Sequence, residues 1–407
     1  MKMSIIEFSL ENFRIFNKKV VFSMFAKKSK HTFNIDSENL LKTSLIYGPN
    51  ASGKSSLLKA LLILRDTIIN SANNSDEAIL RYQPFLLSSE EDKPVFYEII
   101  FSLDKKVFKY NFSILGNEFV TENLFEILSS SEEKKYLIRK KQDIKLFSDF
   151  EKSKDIAEKT RKDVLFLSSA SQQNSELAMQ IIEGFKNINV INGLDSEIHR
   201  GYTAELLKED EEEKQKVLDF LKKADFGIED CFIEKIKIPK FARKKMKIMG
   251  AKDVPDEIDT LFLTHNKYDF KGNKIGTEKF NLGDESMGTQ RFFDMIGPII
   301  DTLEGGKILF IDEFDNSLHP YLTKLIINLF EKNNPENAQL VVVTHDTTLL
   351  SNKELNKEQF WFTEKDKFGA GNLFSLSEFK FQKNDIEFSK KYLEGRFGAI
   401  PFIDFLN

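Results

Sequence analysis

Gly48-Pro49-Asn50-Ala51-Ser52-Gly53-Lys54-Ser55 is a run whose residue types suit the grip of a phosphate chain. In such a turn, opening onto a helix, successive backbone N–H groups and the helix N-terminus point at an anion. Gly48 and Gly53 permit backbone geometry that a side chain would block. Lys54 places a cation at the outer phosphates, and Ser55, followed by Ser56, offers a hydroxyl to Mg²⁺. A second group stands far along the chain, where the apolar run Lys307-Ile308-Leu309-Phe310-Ile311 ends in Asp312-Glu313. Asp312, at the edge of a buried strand, is expected to face the Mg²⁺ beside the phosphate loop. Glu313, one residue on, is expected to polarise an attacking water as general base. The chemistry implied is binding of a nucleoside triphosphate, ATP, with its magnesium, followed by hydrolysis.

These groups need rigid elements to hold them. Ser44-Leu45-Ile46-Tyr47 reads as a short strand entering the turn, and the apolar periodicity after it predicts a helix over about 54–70. Lys307–Ile311 and Gln339–Val343 are apolar or β-branched runs bounded by polar residues, as buried parallel strands are. Residues 4–9 and 19–24 read as strands, and 95–128 as an antiparallel meander that includes Val95–Phe101 and Phe108–Phe112. The polar, lysine-rich stretch 129–165 predicts loops and a helix. Residues 205–224 predict a charged helix, too short for a long coiled coil. Further strands are expected near 231–238 and 259–264.

A chain of 407 residues exceeds one simple core and predicts two or three packing units. Its 41% hydrophobic and 30% charged residues fit a folded globular protein. The net charge of −5 disfavours coating of DNA by bulk electrostatics, although local basic patches remain open to nucleic acid. One cysteine, Cys231, excludes an intrachain disulfide, fits a reducing cytoplasm, and lacks the second cysteine that a metal site of its kind uses. The opening residues read as a strand rather than a signal peptide. No run reaches the ~18 apolar residues of a membrane helix, so no membrane partner is expected.

Three further stretches carry a family resemblance. Glu285-Ser286-Met287-Gly288-Thr289-Gln290-Arg291, ahead of an apolar helix, resembles an ABC signature, although it lacks the leading Leu and the double Gly of the transporter form. Phe314-Asp315-Asn316-Ser317-Leu318-His319-Pro320 resembles a D-loop, with Asp315 in the equivalent place. Thr344-His345-Asp346 resembles the switch-histidine motif. Their order is that of ABC-type ATPases, and Glu11-Asn12-Phe13-Arg14 resembles an element of RecF, SMC and OLD proteins. Tyr392 to Pro401 resembles the close of AAA15/AAA21-type ATPases, a group with RloA-like, AbiL-like and PARIS ATPase subunits of anti-phage systems. The resemblance covers both ends of the chain and leaves the middle third weakly matched.

That resemblance implies an α/β fold: an ABC-type ATPase head with a RecA-like parallel-sheet core, an N-terminal antiparallel β subdomain and a mixed α/β insertion. The halves of the head are expected over 1–165 and 271–407, with the insertion over 166–270. It implies a head-to-tail, ATP-sandwiched homodimer or higher oligomer in which Ser286, Gly288 and Gln290 of one copy close on phosphates held by the other. His345 would act with Glu313 in catalysis, Arg14 would lie near the nucleotide, and Gln83 would serve as the Q-loop glutamine. The implied role is the sensor subunit of an anti-phage, abortive-infection system that controls a separately encoded nuclease or toxin. The alternatives are a RecF-like DNA-repair ATPase and an ATP-bound scaffold that sequesters a toxin with little turnover. His319 reads as a capping or packing residue. The basic cluster Lys235, Lys237, Lys240, Arg243, Lys244, Lys245 and Lys247 reads as a solvated hairpin face, or as a surface for nucleic acid or an acidic partner. The acidic run Glu209–Glu213 reads as a solvated helix face.

Overall fold

The computed structural model describes residues 2–26, 32–35, 38–73, 82–90, 92–192, 197–209, 211–224, 226–250, 253–380 and 388–400. The chain divides into two compact units, one built from 1–194, 302–315 and 326–407 and the other from 195–301 and 316–325.

The first unit holds two large sheets. A six-stranded sheet has the order Ile188–Asn192, Ile308–Asp312, Gln339–Val343, Thr43–Tyr47, Phe360–Lys365, Gly371–Ser375. The first five strands are parallel and the last returns antiparallel. The central strands Thr43–Tyr47 and Gln339–Val343 are buried along their whole length. Burial on both faces explains why they are apolar runs without alternation. The helix Lys54–Asn70 lays Leu57, Leu58, Leu61, Leu64 and Ile68 into the core, an i, i+1, i+4, i+7, i+11 stripe along one face.

The second sheet has seven antiparallel strands, in the order Asp143–Leu146, Glu132–Lys140, Glu118–Ser129, Lys106–Leu115, Val95–Leu103, Met3–Glu11, Val20–Ser23. Its aromatic residues pack into one continuous core with the first sheet and its helices; Phe101, for instance, meets Phe185 edge-on at 5.2 Å. Gln339 stitches the sheets together. Its amide accepts from Ile5 N at 2.7 Å and donates to Ile5 O at 3.0 Å.

Two expectations change here. Residues 132–146 form two strands rather than loops. Their lysines and glutamates face solvent while Tyr136, Leu137 and Arg139 are buried; a register shift at Tyr136 breaks the alternation, and that break together with so much charge hides a strand. Arg139 and Glu122 form a fully buried ion pair at 3.3 Å. Glu122 also accepts from the Tyr110 hydroxyl and the backbone N–H groups of Phe166 and Leu167. Residues 166–192, expected in the insertion, belong to the first unit, because Ile188–Asn192 pairs in register with Ile308–Asp312.

The second unit contains the helices Glu197–Glu209 and Glu211–Lys223 and a three-stranded antiparallel sheet of Ile228–Lys237, Glu257–Tyr268 and Lys274–Asn281. Arg200 grips Asp294 with two hydrogen bonds of 2.8 and 3.2 Å. Much of the basic cluster lies on a helix, Lys240–Ile248, none of whose residues is buried. No helix among the described residues is long and apolar enough to cross a membrane.

Candidate nucleotide site

Strand Thr43–Tyr47 delivers the chain into Gly48, and the helix begins at Lys54. The turn between them bends through left-handed backbone at Ala51 and Gly53, φ 60° and 115°. Gly53 is required twice over: its φ disfavours any side chain, and a Cβ there would sit 2.7 Å from the Phe16 ring. Gly48 is required by close approach, since a Cβ would overlap both the side chain and the backbone of Thr363.

Lys54 is buried, and its ammonium donates to the carbonyls of Gly48 and Pro49 at 2.8 and 3.1 Å. Burial pulls its pKa down, while Glu313, Asp312 and Asp315 oppose that pull, in that order. The three carboxylates thus lie within electrostatic reach of the loop lysine, although more than 250 residues separate them from it in sequence. Parallel strand pairing achieves this by aligning the C-terminal ends of Ile308–Asp312, Gln339–Val343 and Thr43–Tyr47.

Glu313 adopts left-handed backbone, φ 49°, and its N–H donates to the Asp312 carboxylate at 3.1 Å. A non-glycine residue held there stores strain of a kind that gathers at functional sites. Asp315 accepts from the Thr344 hydroxyl at 2.7 Å and from His345 N at 2.9 Å. The loop after the acidic pair is therefore tied to the loop that bears the histidine.

Two clefts flank the phosphate loop. One, of about 610 Å³, is lined by Gly48, Pro49, Asn50, His345, Glu364, Lys365, Tyr392 and Ile400. The Tyr392 hydroxyl donates to Ala399 O at 2.9 Å, so the C-terminal stretch folds back to form this wall; Pro401 lies outside the described residues. The other cleft, of about 780 Å³, takes Arg14, Ala51, Gly53, Ser56 and Gln83 into its lining, with Lys365 again. Arg14, left-handed at φ 50°, donates its N–H to Gln83 O at 2.8 Å. The structure thus gathers Arg14, Gln83, the loop from Gly48 to Ser56, Asp312, Glu313, Asp315 and His345 in the first unit. Glu364 and Lys365 do not stand out in the sequence, and Tyr392 does so only as the start of the C-terminal resemblance. The run Phe360-Trp361-Phe362-Thr363, a strand-like stretch just beyond the histidine, is the signal that could have found the first two.

Ser286, Gly288 and Gln290 lie in the second unit. The Ser286 hydroxyl accepts from Thr289 N at 3.1 Å at the start of the helix Met287–Gly305, the usual service of a serine cap. A Cβ on Gly288 would lie 2.8 Å from Ser317 O, so the two backbones cross there. The Gln290 amide donates to Glu285 O at 2.8 Å. Ser286 is exposed, and His265 meets Glu285 at 2.8 Å behind it.

The profile of the family described as "AAA domain, putative AbiEii toxin, Type IV TA system" matches residues 44–351, well over half of the chain. The chain belongs to this AAA_21 family. In fold, it is similar to the structure titled "Crystal structure of the SmcHead bound to the C-winged helix domain of ScpA". The match has a TM-score of 0.51 at 13% identity and covers 91% of this chain and 97% of that one. The SMC head domain from Thermotoga maritima aligns over 92% of this chain and 99% of its own, at 11% identity and a TM-score of 0.43. No curated protein matched the sequence. The family is thus AAA_21, and the fold resembles that of an SMC head domain.

The AAA_21 site has the donors that a magnesium nucleotide needs. Ser55 supplies a hydroxyl and Asp312 a carboxylate, both hard oxygen donors. No cluster of three or more His, Cys, Asp or Glu side chains among the described residues builds an all-protein cage. Such a sparse set fits Mg²⁺, which is commonly held by one or two protein oxygens together with phosphate oxygens and water.

Proposed function

We propose that this chain binds and hydrolyses ATP with Mg²⁺ and that its complete sites form between two copies. Lys54 and the loop amides hold the phosphates, and Ser55 and Asp312 hold the metal. The metal supplies charge neutralisation at the phosphates. Glu313 draws a proton from the attacking water, and His345 senses the terminal phosphate. Asp315 positions His345 through its backbone. Ser286, Gly288 and Gln290 of the second copy close on the nucleotide. The observation that carries this reading is the parallel strand register that brings Asp312 and Glu313 to the same sheet edge as the loop bearing Lys54.

In the cell, the chain acts as the sensor or regulatory subunit of an anti-phage system and controls a separately encoded effector. The family's description as a putative AbiEii toxin of a Type IV TA system supports a place in a two-component system, though not which side of it. The similar SMC head was solved with another protein's winged-helix domain bound, which supports a head that docks partners. The test is ATP binding and light scattering on purified protein. Wild type binds Mg²⁺-ATP and doubles in mass with it, whereas Lys54→Ala does neither. Equal binding by the two proteins would overturn the proposal. For the cellular role, the chain and its genomic neighbours should reduce plaque formation, and Lys54→Ala should abolish the effect.

A further inference from the structure

We propose that Lys365 is a further nucleotide-binding residue, a second cation aimed at the phosphates; this rests on the nucleotide reading above. Lys365 ends the strand Phe360–Lys365, which runs parallel to Thr43–Tyr47 with Phe362 opposite Tyr47. Its last three residues therefore continue beside the phosphate loop. Thr363 shows which face turns toward that loop. Its buried hydroxyl lies 2.5 Å from the Ser52 hydroxyl and donates to Tyr47 O at 3.3 Å. Side chains two apart on a strand share a face, so Lys365 leans the same way as Thr363. Accordingly, Lys365 is the one residue among those described that lines both clefts flanking the loop.

The base of this lysine is fixed. Lys365 pairs with Gly371 across a hairpin whose turn is closed by Asp366, which accepts from Phe368 N and Ala370 N at 2.8 and 2.9 Å. Gly371 N in turn donates to Ile15 O at 2.8 Å, beside Arg14. The ammonium itself is exposed and has no ion pair or side-chain hydrogen bond among the described residues. Lys54, by contrast, is buried and already held by loop carbonyls. An anchored, uncommitted cation at the rim of a phosphate-binding turn suits the charge of a di- or triphosphate that Lys54 and the magnesium leave unbalanced.

The test is calorimetric titration of the full chain with ATP, ADP and adenosine in magnesium, at low and high salt, for wild type, Lys365→Ala, Lys365→Arg and Lys54→Ala. Lys365→Ala should weaken ATP about threefold to tenfold, ADP less, and adenosine not at all, with the loss shrinking as salt rises. Lys365→Arg should retain most of the affinity, and the melting temperature should stay at the wild-type value. Unchanged ATP affinity in Lys365→Ala would overturn this proposal alone, as would equal weakening of ATP and adenosine. Absence of ATP binding by wild type would overturn the phosphate-loop reading, and this proposal with it.

Discussion

Beneath the phosphate loop, one buried carboxyl should make the first unit lose stability as pH rises. Glu331, on the helix Pro320–Lys332, is 1% exposed. Its Oε1 accepts from the hydroxyl of Thr43, the first residue of the strand that delivers the phosphate loop, and from the Gln359 amide at 2.8 Å. Its Oε2 has no hydrogen-bond partner among the described residues. Burial pushes its pKa from 4.5 up to about 7, against the pull of Thr43, Gln359 and Lys42 and with a smaller push from Glu354. Because the folded pKa is the higher one, the folded state holds more protons than the unfolded state between the two values. Stability must then fall as pH rises through that window and level off above it. At ~1.4 kcal/mol per pH unit, the penalty is about 1 kcal/mol at pH 5 and about 3 kcal/mol by pH 8.

Glu331→Gln removes the titration while keeping an oxygen for Thr43 and Gln359. Its stability relative to wild type should therefore improve by about 2 kcal/mol between pH 5 and pH 8, whatever fixed offset the amide introduces. The assay is urea unfolding at pH 5, 6, 7 and 8, followed by tryptophan fluorescence. The chain has one tryptophan. That residue, Trp361, lies in the first unit, 8% exposed and two residues from Gln359, so the signal reports the right unit. A stability difference between the two proteins that stays constant across this range, or that shifts in favour of wild type at high pH, refutes the reasoning.

Three further outcomes are expected. Glu122→Ala strips a fully buried Arg139 of its counter-ion at 3.3 Å and should cost about 3–5 kcal/mol in the same fluorescence assay, whereas Glu122→Gln should cost less. Glu313→Gln should lower ATP turnover by about 10²-fold or more with ATP affinity retained, so that scattering finds the ATP-bound dimer persisting; full turnover in this variant would remove Glu313 from the general-base role. Ser286→Arg should block ATP-dependent dimerisation while leaving ATP binding intact. Mixed with inactive Lys54→Ala, it should regain turnover, because one heterodimer site then combines an intact loop with an intact Ser286. A mixture as inactive as its components would exclude composite sites.

The phosphate loop was legible because its chemistry is contiguous: eight consecutive residues carry the turn, the cation and the metal hydroxyl. The acidic pair was legible because a buried parallel strand is a continuous apolar run, and its end is visible where the carboxylates begin. Sheet order was not legible. The strand beside Thr43–Tyr47 on one side comes from 339–343 and on the other from 360–365, and nothing local announces either pairing. Thr363 and Lys365 therefore look, in sequence, like the polar end of an unremarked strand. The stretch 132–146 is hidden for a different reason. Its longer strand pairs through two register shifts, one of them at Tyr136, so the alternation is interrupted; the charge on the solvent face then reads as loop, and the buried Arg139 deepens the disguise.

The left-handed Glu313 links these levels. Asp312 must end its strand beside the phosphate loop, yet the next residues must turn at once to bring Asp315 to Thr344 and His345. An extended Glu313 would carry the chain onward past the sheet. The φ of 49° instead folds it back, and Phe314 N reaches Val343 O at 2.9 Å to lock the turn. Strain of about 1–3 kcal/mol at such a residue is offset by these three bonds together with burial of Phe314. Glycine at 313 would relax the backbone but remove the carboxylate. The position therefore keeps a conformation that glycine prefers and a side chain that glycine lacks, a combination that packing alone does not require.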